Sequence, residues 1–329
     1  MRRVLRAALV CLVLLALIAG GAGLYAHRAY DAPGPLPEAR AVVVPRGGVE
    51  GIADALAREG VVEDPLALNL AALATRGQGA LRAGELEFPA QASLRQVLAV
   101  LRTGRPVQHR LTIPEGLTAA QVAVLLDRAD ALDGETELPD EGAILPETYA
   151  YERGTPRAGL LARARAAMTR ALDRAWAERD PAIPLTTADQ ALILASIVER
   201  ETGKPEERPH VAAVFLNRLR LGMRLQSDPT VAYVSSGGLG GLERGLLRSE
   251  LERDDPYNTY RIPGLPPEPI AMPGLASIRA VTQPAASEHL YFVADGTGGH
   301  VFARTLDEHN RNVARWRSVE RERAASRSQ

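Results

Sequence analysis

No residue between Ala7 and Tyr25 is charged, a run about as long as a helix needs to cross a bilayer. Arg2, Arg3 and Arg6 precede it, and basic residues stay on the cytoplasmic side, so the N-terminus (residues 1–6) is expected there. Small residues from Gly20 to Ala26 also suit a cleaved signal peptide. The run exceeds a signal core, however, and an uncleaved anchor over residues 7–25 is the favoured expectation. Residues 26–38, with three prolines and a glycine after Asp31, predict an extended linker.

Beyond the linker the apolar positions become short and periodic. A strand, a Pro/Gly turn and an amphipathic helix recur three times. The copies run from Val42 to Leu56, from Leu86 to Leu98 and from Leu111 to Leu126. Ser93 is a candidate cap of the second helix, and Thr118 with Gln121 has capping-box spacing at the third. An acidic loop, Asp127 to Gly142, precedes Ile144–Tyr151 and a helix from about residue 158 to 179. Thr187 and Gln190 then open an apolar helix that Gly203 should end, and another helix starts after Pro209. Six prolines between Pro256 and Pro273 predict an ordered loop. A hairpin around Asp295–Gly299 and a helix capped by Thr305 and Glu308 follow, with a disordered tail over 323–329. The pattern predicts an α+β protein: an N-terminal transmembrane helix, a small α+β module over residues 39–110, and a larger mixed α/β domain over 111–322.

Composition narrows the chemistry. The net charge of −1 provides no general attraction to nucleic acid. Cys11, the single cysteine, lies in the apolar run, so the remainder has no thiol nucleophile, disulfide or thiolate metal site. His109, His210, His289, His300 and His309 are scattered, with no pair at metal-ligand spacing beside a carboxylate. No metal and no cofactor are expected. His300, after a glycine turn, faces either a groove or the surface.

Glu199 is the leading candidate for acid–base work. It ends a stretch, Ala191 to Val198, without charge, on the face of Leu192 and Ala195. Apolar neighbours and the negative end of the helix dipole would both raise its pKa. The alternative is a glutamate that marks where the helix meets water. Glu201, two residues on, points roughly opposite and reads as a poor substitute. Other polar groups fall in Asn217–Arg218, in Gln226–Ser227–Asp228–Pro229, and in Tyr257–Asn258–Thr259–Tyr260. Asp228 before a proline reads as a helix N-cap. Amides, hydroxyls and tyrosines together suit a carbohydrate site.

The ordered set Ala195–Thr202, Val214–Leu219, Met223–Val231, Tyr257–Tyr260, Gly264–Pro267 and Leu290–Asp295 resembles the YceG-like endolytic murein transglycosylases. The resemblance covers nearly the whole chain. It implies a LysM-like module over 39–110, a catalytic domain over 111–322, and Glu199 as catalytic residue. By their chemistry Asn217, Gln226, Ser227, Asp228, Tyr257, Asn258 and Glu147 are the expected substrate-binding residues, with Asp228 either a cap or a second carboxylate. Glu147 stands where the family usually has Asp. In such an enzyme one carboxyl protonates the β-1,4 glycosidic oxygen between N-acetylmuramic acid and N-acetylglucosamine. It then takes the proton of the muramic 6-hydroxyl, which closes on the anomeric carbon to leave a 1,6-anhydro end. The implied partners are peptidoglycan strands, penicillin-binding synthases and, through the anchor, membrane lipid. The implied location is the inner membrane, with the catalytic domain in the periplasm.

Two rivals belong to other classes. A pyridoxal-phosphate lyase would need a lysine, and Lys204, the only one, lies in an apparent loop without a glycine-rich phosphate cradle. A non-catalytic wall-binding scaffold that recruits synthases would have no need of a carboxylate at position 199.

Overall fold

The computed structural model describes residues 2–242 and 244–327 and divides into two compact units, one up to His109 and one from Arg110. The protein is a mixed α+β chain with one long apolar helix at its N-terminus.

That helix, α1, spans Arg2–Asp31, and its Leu12–Asp31 portion is long and apolar enough to cross a membrane. Strand β1 (Arg40–Val44) is followed by helices α2 (Val49–Arg58) and α3 (Pro65–Ala74), strand β2 (Gly84–Phe88) and helix α4 (Leu94–Thr103). β1 and β2 pair antiparallel, with Val42 opposite Leu86. Alternation along both strands sends Val42, Val44, Leu86 and Phe88 into one core with Ile52, Leu56, Leu68 and Leu98. Ser93 caps α4 as expected, and Gln96 completes a capping box with it. Helix α3 has no counterpart in the sequence reading, because Pro65-Leu-Ala-Leu-Asn-Leu-Ala-Ala-Leu-Ala74 is apolar on every face and so lacks helical periodicity.

The segment after α1 is not a free tether. Leu36 is buried in the first core, and Gly34 and Leu36 exchange backbone hydrogen bonds with Gln91. A Cβ at Gly34 would stand 2.3 Å from the Ala92 carbonyl oxygen, so this close approach requires glycine.

Strand β3 (Gln108–Thr112) runs across the boundary into the second unit, and α5 (Ala119–Asp127) follows, started by the Thr118–Gln121 capping box. Strands β4 (Leu132–Asp133), β5 (Thr148–Glu152) and β6 (Thr155–Pro156) follow; β3 pairs with β5, and β4 runs parallel to β6. The helices are α6 (Arg157–Ala177), α7 (Ala188–Glu201), α8 (Arg208–Arg220), α9 (Asp228–Ser235), the single turn α10 (Arg248–Leu251) and α11 (Leu275–Thr282). Hairpin β7 (Tyr291–Ala294) and β8 (His300–Ala303) precedes α12, Leu306–Arg327. Helix α12 thus continues past the point where its composition predicts a disordered tail, and Ser328 and Gln329 lie outside the described residues.

The larger core surrounds α7, whose Ala191, Leu194, Ala195, Ile197 and Val198 are buried against α6, α8 and α11. A helix buried on most of its circumference can carry functional groups on more than one face, which matters at its C-terminal end. The hairpin docks on α8: Phe215 meets Phe292 edge-on at 5.7 Å, and the Arg218 Nε donates to the Leu290 carbonyl.

Candidate active site

The last turn of α7 holds two carboxylates in different settings. Glu199 is almost fully enclosed, with a side chain 4% exposed, and both oxygens are engaged. Its Oε1 accepts from the Arg208 guanidinium at 2.9 Å and its Oε2 from the Gly274 amide at 2.9 Å. The same Arg208 nitrogen donates to Glu115 at 3.1 Å. A Cβ at Gly274 would collide with Glu115, so only glycine lets this loop close over the pair. Glu199 therefore ties α7 to the start of α8, the loop after β3 and the turn before α11. The apolar wall expected beside Glu199 is present, and its carboxyl meets in addition an arginine that the sequence places nine residues away.

Glu201 faces the other way, into a cleft of about 360 Å³ lined with Arg218, Gln226, Asp228, Tyr260, Phe292 and His309. It accepts a hydrogen bond from the Ser227 hydroxyl at 2.5 Å. Burial pushes its pKa up to about 7; the Ser227 hydrogen bond pulls the other way, the negative charge of Asp228 adds to the rise, and Arg218 opposes it. A carboxyl poised there can give a proton at neutral pH and accept one back.

Backbone knots hold the partners of Glu201. Asn258 is buried and donates to the carbonyls of Glu250, Leu251 and Arg253, while its own oxygen accepts from the Tyr260 amide. The buried Thr259 hydroxyl accepts from the Ser227 amide at 2.9 Å and exchanges a hydrogen bond with Thr230. Gln226 adopts a φ of 52°, a left-handed conformation uncommon outside glycine, where the chain turns from α8 into α9 at the cleft's rim. Ser227, not Asp228, occupies the N-cap position of α9, without a side-chain cap bond. Asp228 is thereby released from the capping duty its sequence suggests, and its Oδ1 accepts from the Tyr260 hydroxyl at 2.5 Å. That hydrogen bond, together with burial, raises the Tyr260 pKa.

A family model described as the YceG-like family matches residues 42–315. The chain belongs to the YceG-like family. It is 32% identical over 194 residues to an endolytic murein transglycosylase of Bacillus subtilis strain 168, covering 59% of this chain and 52% of that protein. It is 29% identical over 323 residues to an endolytic murein transglycosylase of Streptococcus pneumoniae serotype 2 strain D39, covering 83% of this chain and 57% of that protein. This YceG-like chain thus spans little more than half the length of the curated relatives it matches. A crystal structure of a yceG-like protein from Listeria monocytogenes superposes with a TM-score of 0.52 at 26% identity, covering 83% of this chain and 98% of that one.

Several expected groove residues of this YceG-like protein lie elsewhere. Asn217 donates to the Ser287 and His289 carbonyls and accepts from Arg220, so it anchors the approach to β7 rather than lining the cleft. Asn258 is consumed by its loop, as described. Tyr257 belongs to a neighbouring group in which its hydroxyl donates to Glu268 and its ring packs on Tyr233 at 5.4 Å. Glu147 is exposed and borders a separate depression with Arg170, Arg174 and Arg279. His300 is half-buried and does not line the cleft; its Nδ1 meets Glu207 at 2.8 Å. Lys204 is not among the residues lining the Glu201 cleft.

The sequence reading missed Glu201, Arg218, Tyr260, Phe292 and His309 as members of one cleft. Tyr260 and Arg218 stood inside the motifs already singled out. Phe292 and His309 sit roughly 90 and 110 positions beyond Glu201, and only tertiary folding brings them there.

Proposed function

We propose that this YceG-like protein is a membrane-anchored endolytic murein transglycosylase in which Glu201, rather than Glu199, is the acid and then the base. The observation that carries this reading is the Glu201 carboxyl, at about 7 and hydrogen-bonded by Ser227, at the wall of a polar cleft. The printed names of the Bacillus and Streptococcus relatives support the reaction class.

Glu201 in its acid form donates to the glycosidic oxygen as the bond to the muramic anomeric carbon breaks. Asp228, positioned by the Tyr260 hydroxyl, faces the oxocarbenium-like transition state. The Glu201 carboxylate then takes the proton of the 6-hydroxyl, whose oxygen closes on the anomeric carbon. No water enters, and the carboxyl ends in its starting state. α1 anchors the protein in the inner membrane with the second unit on the periplasmic side. The first unit is a LysM-like module, a reading supported by its two helices inserted between two antiparallel strands.

Asp228 also favours a second reading. Two carboxyls in one cleft are what a glycoside hydrolase uses, and such an enzyme would add water to the broken bond. Incubation of the full chain in detergent with purified peptidoglycan, followed by mass spectrometry, separates the outcomes. Anhydro ends that vanish in Glu201→Gln support the proposal. Reducing ends would replace it with hydrolysis. Anhydro ends made equally by wild type and Glu201→Gln would take Glu201 out of the chemistry, and no cleavage by wild type would leave a scaffold.

A further inference from the structure

Helix α3 exposes what a helix of a small water-bathed unit ordinarily hides. Of its ten residues only Asn69 is polar, and only Leu68 and Ala72 are buried in the core. Leu66, Leu70 and Leu73 are 62%, 58% and 61% exposed, and their i, i+4, i+7 spacing aligns them along one face. At about 1.5 Å per residue the helix is far too short to span a bilayer, but it is long enough to lie along one.

The position of α3 says what covers this face. The last turns of α1 and the length of α3 enclose a common apolar cleft of about 570 Å³, to which Tyr25, Ala26 and Tyr30 contribute from one side and Leu66, Leu70 and Ala71 from the other. The angle between α1 and this unit is fixed: Arg95 on α4 forms two hydrogen bonds to Asp31 and lies 4.7 Å over the Tyr30 ring. The leucine face is therefore continuous with the apolar surface of α1, whose Leu12, Leu15, Leu17 and Ile18 are likewise exposed. Arg28 in the last turn of α1 and Arg76 just after α3 are exposed cations of the kind that sit among lipid phosphates.

We propose that the Leu66–Leu70–Leu73 face of α3 rests in the headgroup–acyl boundary beside the point where α1 leaves the bilayer. The first unit is thus held to the membrane at two places. This rests on the reading of α1 as a membrane-crossing helix.

The test uses the full chain, with Cys11→Ser, reconstituted into vesicles of phosphatidylcholine and phosphatidylglycerol. Nitroxide labels are placed singly at Leu15→Cys, Leu70→Cys and Val43→Cys, the last on the outer face of the β1–β2 ribbon. Collision rates with oxygen and with a water-soluble nickel chelate report depth. The ratio of oxygen to nickel collisions at position 70 should exceed that at position 43 at least threefold and fall below that at position 15. A deep label at 15 with a water-exposed label at 70 overturns this proposal and leaves the anchor standing. A label at 70 shielded from both reagents means a protein partner covers the face, and the lipid assignment is then wrong. A water-exposed label at 15 removes the anchor reading, and this proposal with it.

Discussion

Glu199 and Glu201 share a helix turn, yet the first is tied to Arg208 and Gly274 and the second faces a cleft. Glu199 has an arginine on one oxygen and a backbone amide on the other. Glu201 has a hydroxyl on one oxygen, an aspartate nearby and an open cleft before it. Their difference teaches that a buried carboxyl becomes an acid–base group through what fails to neutralise it. Burial alone does not distinguish the two. Arg208 lies within hydrogen-bond reach of Glu199, whereas the Glu201 carboxyl, raised chiefly by burial and further by the charge of Asp228, has only Ser227 as its hydrogen-bond partner among the described residues.

The sharpest break of this comparison exchanges each carboxyl for its amide. Glu201→Gln should lower the release of anhydro-ended fragments by about a thousandfold, since a single group serves as both acid and base. Its folding should be undisturbed, because glutamine can still accept from Ser227. A variant that folds like wild type and retains more than a tenth of its activity would return Glu201 to the background.

Glu199→Gln should do the reverse. It leaves Arg208, a side chain 10% exposed, with Glu115 as its charged partner, and breaking a buried ion pair costs about 3 kcal/mol or more. At about 2–4 °C per kcal/mol for a unit of this size, melting should drop by about 10 °C. Activity measured well below that temperature should stay within about tenfold of wild type. If instead Glu199→Gln melts normally and is inactive, the assignments of the two glutamates must be swapped.

Why the sequence led to Glu199 is clear from the same pair. Helical periodicity correctly placed Glu199 on the apolar side of α7 and Glu201 across from it, and the capping residues Ser93, Thr118 and Thr187 were legible because caps act over three positions. What periodicity cannot supply is the partner. Arg208 and Gly274 reach Glu199, and Ser227 reaches Glu201, through tertiary packing alone. Asp228-Pro229 misled for a similar reason. The dipeptide fits an N-cap, but the Ser227 amide is held by Thr259 and the helix begins one residue earlier than the motif suggests. Asn217 and Asn258 were conspicuous as polar residues in apolar settings, and each proves to be spent on backbone carbonyls.

A gentler probe leaves the chain intact and varies pH. Glu201 and Glu141 both have folded-state pKa values near 7, raised from 4.5 chiefly by burial. A raised carboxyl favours the folded state fully below its unfolded value, and that contribution is lost as pH rises through the folded one. These two groups therefore lower stability between about pH 4.5 and 7.5. His309, pushed down by burial, acts in the opposite sense, so total melting curves mix the two. The difference between wild type and Glu201→Gln isolates the first. Relative to wild type, the variant should gain a few degrees in melting temperature from pH 5 to pH 8. No change in that difference would mean Glu201 titrates as a solvent-exposed carboxyl.

The finest test asks whether Asp228 tunes Glu201 or merely stands beside it. Its charge raises the Glu201 pKa, whereas the Tyr260 hydrogen bond keeps that charge in place. Asp228→Asn removes the charge at nearly constant shape, so the Glu201 pKa should fall. Activity that requires the protonated acid would then disappear at lower pH, with the basic limb of the rate profile moving down by about half a unit to one unit. Tyr260→Phe keeps the Asp228 charge and should leave that limb nearly in place while slowing turnover through looser positioning. A uniform loss of rate in Asp228→Asn with an unmoved limb would show that the aspartate only shapes the cleft, and that burial alone sets the proton affinity of Glu201.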